Sequence, residues 1–342
     1  MQYWQIAAGS FGRDYAADFL RFGMAFVGGE RQRRTMKEVA CGDRVILKSG
    51  KSIVAVGEVQ ERNGKCKGDG DKEWLRDFDG WDLSAYCFVE WHKLNSPISD
   101  PGLGIATIQR VHRQAIRDRM DKDLSVLPPL SPPDPEPTPT TEIKDGRILE
   151  HLIRHGLRVG VAEELTTAFK RIRLLAQYYR DREEEWKEVR EHETRTFLII
   201  PLLLALGWAE QQIKIELPVS GGRVDIACFP GPYTKKSKDA VMLIESKGFS
   251  QGLDLATGQA EQYAESFPDC QLVVVTNGYC YKAFERGNSG YETKTPSAYL
   301  NLLLQRDKYP RNPDVEGCLK ALELLLPSSR MQDGRRQAPA QR

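Results

Sequence analysis

Ala240-Val241-Met242-Leu243-Ile244 runs directly into Glu245-Ser246-Lys247, an apolar strand that ends on an acid and a base. Side chains alternate along an extended chain, so Glu245 and Lys247 share one face. Charges at the end of a buried strand are costly unless they pair or bind a metal. Taken alone, the triplet is satisfied by a structural salt bridge. The Glu-x-Lys spacing occurs four times, at Glu142/Lys144, Glu185/Lys187, Glu245/Lys247 and Glu292/Lys294. The first abuts a proline-rich stretch and the fourth lies among Gly, Ser and Thr. The second sits in a charged helical stretch, where a two-residue step turns side chains about 200° apart. The 245/247 pair alone closes an apolar strand.

Twenty residues earlier, Asp225 interrupts another apolar strand, Val224 to Phe229, after the turn Ser220-Gly221-Gly222. Neighbouring strands would set the two carboxylates side by side, where they repel and invite a hard divalent cation. Mg²⁺ held by one or two carboxylates, with waters completing its shell, is the usual arrangement for phosphodiester chemistry, and Mn²⁺ can substitute. Such a metal polarises a phosphoryl oxygen and acidifies a water, while Lys247 can hold that water and offset negative charge. Glu193, close to Arg195 on the preceding helix, is a candidate third carboxylate. Gln259 and Tyr263 stand four apart on the following helix and share a face. Both can reach phosphate or metal-bound water.

The surrounding elements read as helix 191–206, strands 213–217, 223–229 and 241–247, helix 255–267, and strands 272–276 and 279–284. Asn277-Gly278 joins the last pair as a hairpin. The order Glu193, Asp225, Glu245-Ser246-Lys247, Gln259-Ala260-Glu261-Gln262-Tyr263 resembles the nuclease domain at the N-terminus of type I restriction motor subunits. That domain is a PD-(D/E)xK nuclease of the subgroup with a Gln-x-x-x-Tyr helix. Glu193-Thr194-Arg195 through Pro201-Leu202-Leu203, Leu206-Gly207-Trp208 and Val273 to Gly278 agree with it. The resemblance implies an αβββαβ nuclease core within residues 191–326. It implies that Asp225, Glu245 and the Ser246 carbonyl bind metal, that Lys247 activates water, and that Gln259 and Tyr263 support the site. No helicase motor follows, so a translocating type I subunit is not expected.

Upstream, Leu127 to Thr141 (LPPLSPPDPEPTPTT) has proline at nearly every second position and reads as a semi-rigid spacer, placed at 124–144. Residues 145–190 are helical and charged. Leu165, Phe169, Ile172, Ala176 and Tyr179 form a short heptad-like seam that suits either packing on the same chain or a dimer contact. Residues 327–342 read as a disordered tail.

Residues 1–123 have β character. Tyr3 to Ala7 alternates, and two apolar runs flank Ser49-Gly50-Lys51-Ser52 as a hairpin. Asp14 to Phe22 has helical spacing, and Tyr86 to Trp91 gives a further strand. Four of the six tryptophans fall here, which a small β core explains without any binding role. Met1 to Gly29, the Gly42-Asp43 turn with its following strand, and Trp74 to Trp91 are nonetheless similar to EVE domains of the PUA-like fold. The family's Trp-Asp-Gly loop is replaced by Ala25-Phe26-Val27-Gly28. The resemblance implies a β-barrel reader that takes a flipped, modified base into an aromatic pocket. Ser10, Phe11, Phe26, Trp81 and Tyr86 are the pocket candidates, with Asp79 or Asp82 accepting from an exocyclic amine.

The chain is thus expected to be a two-domain α+β and α/β protein: reader, proline-rich linker, helical connector and nuclease. Lys plus Arg number 49 against 48 Asp plus Glu, so bulk charge argues neither for nor against nucleic acid. Seven scattered cysteines, without a CxxC pair, suit reduced thiols in the cytosol. The longest apolar run, Phe197 to Leu206, is too short to span a bilayer. No GxxxxGK[ST] loop occurs, so no nucleotide is expected. The expected partner is double-stranded DNA with modified bases, cut in the cytoplasm by a homodimer. Binding of RNA or unmodified nucleic acid by the N-terminal domain, and a silent nuclease fold acting as an adaptor, remain as alternatives.

Overall fold

The structure, a computed structural model, describes residues 1–9, 12–100, 103–104, 106–182, 189–219, 222–254, 257–264, 266–288, 290–291 and 295–328, with backbone only at 257 and 259–261. The chain divides into two compact units, Met1–Pro139 and Thr140–Arg342.

In the first unit, β1 (Tyr3–Ala7), α1 (Ala16–Phe22), β2 (Met24–Val27), α2 (Glu30–Met36), β3 (Arg44–Ser49), β4 (Ser52–Val59), β5 (Lys67–Asp69), β6 (Ala85–Ser99), β7 (Ile108–Arg110) and α3 (Gln114–Val126) follow in order. The strands form a seven-stranded sheet in the order β2-β6-β4-β3-β1-β7, with β5 on β6. The 15-residue β6 turns the sheet into a half-barrel. Its first part pairs with β2 and β5 and the remainder with β4. Asp43, before β3, accepts from the backbone of Gln2 and Ala40 and from Trp4 Nε1, at 2.7, 3.0 and 2.9 Å. A buried carboxylate with three donors is satisfied.

In the proline-rich stretch, polar groups as far as Glu136 find partners elsewhere in the first unit. Leu130 N donates to Trp91 O, Asp134 N to Arg21 O, and Trp74 Nε1 to Glu136, at 2.8, 2.9 and 3.1 Å. One expectation for this unit is corrected. The cysteines are not all reduced thiols: Cys41 and Cys66 form a disulfide, their Cα atoms 5.7 Å apart.

The second unit begins with α4 (Asp145–Arg154) and α5 (Val159–Asp181), separated near Gly156, which takes φ 105°. A continuous helix, α6, spans residues 191–205 and contains a π-helical segment at Arg195–Ile199. Pro201 lacks the N–H that would close an ordinary turn on Phe197, which accounts for the irregularity there. The remaining elements are β8 (Ile213–Val219), β9 (Gly222–Cys228), β10 (Met242–Ser246), α7 (Thr257–Ala264), β11 (Leu272–Thr276), β12 (Cys280–Gly287), β13 (Gly290–Tyr291), β14 (Ala298–Asn301), β15 (Lys308–Tyr309), β16 (Asn312–Glu316) and α8 (Cys318–Leu325). The sheet order is β15-β16-β14-β12-β11-β10-β9-β8, with β13 on β12. β10 and β11 are parallel, so the chain crosses over between them and α7 lies on that crossover. The start of the expected helix at 255–256, the Ser220-Gly221 turn, the Glu185/Lys187 and Glu292/Lys294 pairs and the tail from 329 onward lie outside the described residues.

The seam on α5 is settled by burial. Leu165, Phe169, Ile172, Ala176 and Tyr179 join the same apolar cluster as Leu198, Leu202, Ile226 and Ile244. The helical region is part of the core of its own chain, so this seam is not an open dimer face. Phe169→Ala should destabilise the second unit by about 3–5 kcal/mol, read as a lower urea midpoint followed through buried Trp208. An unchanged midpoint would show the seam to be inessential. Among the described residues, no helix is long and apolar enough to cross a membrane.

Candidate active site

The register of the central strands sets the geometry. β10 runs antiparallel to β9, with Met242 opposite Cys228, Leu243 opposite Ala227 and Ile244 opposite Ile226. One further step sets Glu245 opposite Asp225, and opposed residues of an antiparallel pair project to the same side. Both lie where β10 and β9 part.

Asp225 Oδ2 accepts from Ser246 N at 2.7 Å and Ser246 Oγ at 2.8 Å. Its Oδ1 faces Arg195 Nη2 at 3.3 Å. Lys247 Nζ lies 2.5 Å from Glu245 Oε1, while Lys247 N donates to Thr276 O at 2.8 Å and fixes the strand end. Phe249 N donates to Val189 O at 3.1 Å, which draws the chain after Lys247 to the start of α6.

That junction delivers a carboxylate overlooked in the sequence. Glu191 lies near enough to Asp225 for their charges to repel and is 3.2 Å from Arg195 Nη2. Glu193, expected here, is two residues further along the helix and points elsewhere, since two helical steps turn a side chain by about 200°. Its carboxylate instead accepts from Arg190 N at 2.8 Å as part of the helix cap. The four-residue spacing of Glu191 and Arg195 was the signal available in the sequence. Glu216, from β8, also reaches Arg195, at 3.2 Å, with its backbone in the left-handed region at φ 51°. A non-glycine residue held there costs about 1–3 kcal/mol and is found where the surroundings impose it. Arg195 thus answers three carboxylates.

Tyr263 is buried. A Cβ on Gly222, at the start of β9, would collide with its hydroxyl, so the phenol covers the strand that carries Asp225. The Gln259 backbone lies one turn earlier on α7, and its side chain is outside the described residues.

The centre is short of positive charge. Glu245 is pushed up to about 7, chiefly by burial. The nearby Lys247 opposes that rise, while the charges of Asp225 and Glu191 add to it. Glu191 is raised by burial and then by Asp225, against Lys247 and Arg195. A carboxyl with a raised folded pKa contributes stability below its unfolded value of about 4.3 and loses it as pH rises through the folded one. Metal-free protein should therefore lose melting temperature between about pH 4 and pH 7, and saturating Mg²⁺ should restore more of it at the higher pH. Glu245→Gln should flatten both trends; a profile identical to wild type would remove this assignment.

The donor set fits a hard cation: carboxylate oxygens on fixed strand ends, with Lys247 and Arg195 supplying the countercharge. Among the described residues, its carboxylates do not form a trio with donor oxygens all within 4.8 Å of one another. A cation bound by both Asp225 and Glu245 would accordingly draw them closer.

Among the described residues, the candidates for the base pocket are divided between the interior and the surface. Phe26 packs against Phe19, Phe78 and Trp74 in the interior, and Tyr86 is buried with its hydroxyl on Asp71 at 3.0 Å. Both serve the core, since a small β unit needs its aromatic side chains for packing. Asp79 is also buried. Trp81 is half-buried under the Arg13 guanidinium, 3.3 Å from its ring centre. Asp82 is exposed near Arg33 and lines an open cleft of about 500 Å³ with Arg33, Arg34, Lys37 and Asp69. Ser10 and Phe11 lie outside the described residues.

No curated protein matches the chain. Residues 190–295 match the family described as the type I restriction enzyme R protein N terminus (HSDR_N). The stretch that carries Glu191, Asp225, Glu245 and Lys247 is therefore similar to the N-terminal region of type I restriction R proteins.

Proposed function

We propose that the chain is a Mg²⁺-dependent DNA endonuclease of restriction-type defence, acting in the cytoplasm on DNA that carries modified bases. The observation behind this reading is the meeting of Asp225, Glu245 and Lys247 at adjacent strand ends, within the stretch similar to the restriction R-protein family. In it the second unit is a PD-(D/E)xK nuclease. Asp225, Glu245 and the Ser246 carbonyl would hold the metal, with Glu191 at its edge. A bound Mg²⁺ supplies a polarised phosphoryl oxygen and a water of lowered pKa. Lys247, released from Glu245, would orient that water toward phosphorus and offset charge on the phosphate oxygens. Gln259 and Tyr263 would brace the strand ends. One such centre cuts one strand, so double-strand cleavage requires two chains, joined elsewhere than through the α5 seam.

The first unit would be the reader, an EVE/PUA-like half-barrel. Trp81 offers a ring on which a base could stack once Arg13 moves aside. The interior position of Phe26 and Tyr86 favours a second reading, in which this unit binds RNA or unmodified DNA. A digestion panel with Mg²⁺ separates the readings. It uses unmodified, 5-methylcytosine, 5-hydroxymethylcytosine, glucosylated hydroxymethylcytosine and N6-methyladenine DNA. Cutting confined to one modified substrate is expected. Equal cutting of all would reject modification dependence, and cutting of none would reject the enzyme.

A further inference from the structure

We propose that His151, His155 and Glu323 form a second metal site, for a transition-metal dication of the Zn²⁺ type, that fastens α4 to α8. This site is independent of the nuclease reading. His151 and His155 are four residues apart at the end of α4 and stack on one side, their ring centres 4.2 Å apart. Glu323, 172 residues away in sequence from His151, presents Oε2 to both rings, 3.0 Å from His151 Nε2 and 3.7 Å from His155 Nε2. All three donor atoms lie within 4.8 Å of one another. Ligand atoms about 2.0–2.1 Å from a tetrahedral zinc are separated by about 3.3 Å, between the two spacings from Glu323 Oε2 to the rings.

The hydrogen bonding around the trio is of the kind that prepares ligands. His155 Nδ1 lies 2.8 Å from His151 O. A carbonyl only accepts, so Nδ1 carries a proton, and Nε2 is the nitrogen turned toward the Glu323 carboxylate. Histidine ligands commonly have their second nitrogen anchored this way on a carbonyl. Lys320 Nζ holds the other carboxylate oxygen of Glu323 at 3.0 Å. Ser328 Oγ donates to His155 O at 3.1 Å and steadies the backbone at the helix end. Beneath the trio, Ile148 and Leu152 of α4 and Leu322 and Leu325 of α8 share the core. Two imidazoles and one carboxylate suit Zn²⁺ over Mg²⁺, leaving the fourth position to water. The metal would act as a staple between the first and last helices of the unit.

The test is Zn²⁺ titration of the full chain by calorimetry and by melting, after chelator treatment and with excess Mg²⁺ throughout to occupy the hard carboxylate centre. One Zn²⁺ per chain is expected, with a rise in melting temperature of about 5–10 °C at a hundredfold excess over the dissociation constant. His155→Gln and Glu323→Gln should each weaken binding by about 10–100-fold or more, with metal-free melting checked to confirm folding. Absence of Zn²⁺ binding by the wild type under excess Mg²⁺ would overturn the proposal. So would undiminished binding in both folded variants.

Discussion

Lys247→Ala should lower Mg²⁺-dependent cleavage by about 10²–10³-fold, as removal of one group that stabilises a transition state does elsewhere. DNA affinity should stay near wild type. Lys247 lies beyond the end of β10, its backbone tied to Thr276 and its ammonium beside Glu245. The side chain is mostly buried, so its cation acts where water screens weakly. Loss of the ammonium also leaves Glu245 more isolated and raises its carboxyl further, which weakens metal binding at neutral pH. The two routes separate by experiment. If only metal binding suffers, raising Mg²⁺ and pH restores the rate; if water orientation is lost, neither does. Wild-type cleavage by Lys247→Ala would place the chemistry elsewhere.

Arg195→Ala should cost the metal-free protein about 1–3 kcal/mol, the penalty for removing a charged partner of buried Asp225, with little added by the exposed Glu191 and Glu216. Arg195 is only 8% exposed and faces Glu191, Glu216 and Asp225, all within 3.3 Å. Without it three acids are left together, with Glu216 still in its unfavourable backbone conformation. Mg²⁺ should recover part of the loss, because a dication can take over the countercharge at Asp225 and Glu191. Chemical denaturation with and without Mg²⁺ measures both quantities. A loss that Mg²⁺ does not touch would make Arg195 a structural residue with no link to the site.

The strands carrying Asp225 and Glu245 were readable in the sequence because each is an apolar run broken by a single acid, a pattern that only a satisfied charge permits. Asn277-Gly278 was equally readable. Gly278 takes φ 93°, and a Cβ there would strike Leu198 and Thr194. The third carboxylate was harder. Helix phase decides between Glu191 and Glu193, and that phase depends on where the cap falls. The strands after residue 295 escaped notice because they are two to five residues long, below the length at which alternation shows. The roles of Phe26 and Tyr86 do not separate in the sequence, because an aromatic side chain in a small β unit reads the same whether it lines a pocket or fills a core. Burial alone tells them apart, and burial depends on contacts distant in sequence.

The central claim is that Asp225 and Glu245 share one hard cation. Crystals of the full chain grown with Mn²⁺ test it through the metal's anomalous signal. A peak bonded to both carboxylates is expected, with Lys247 displaced from Glu245. A saturated crystal with no manganese between those two residues would contradict it.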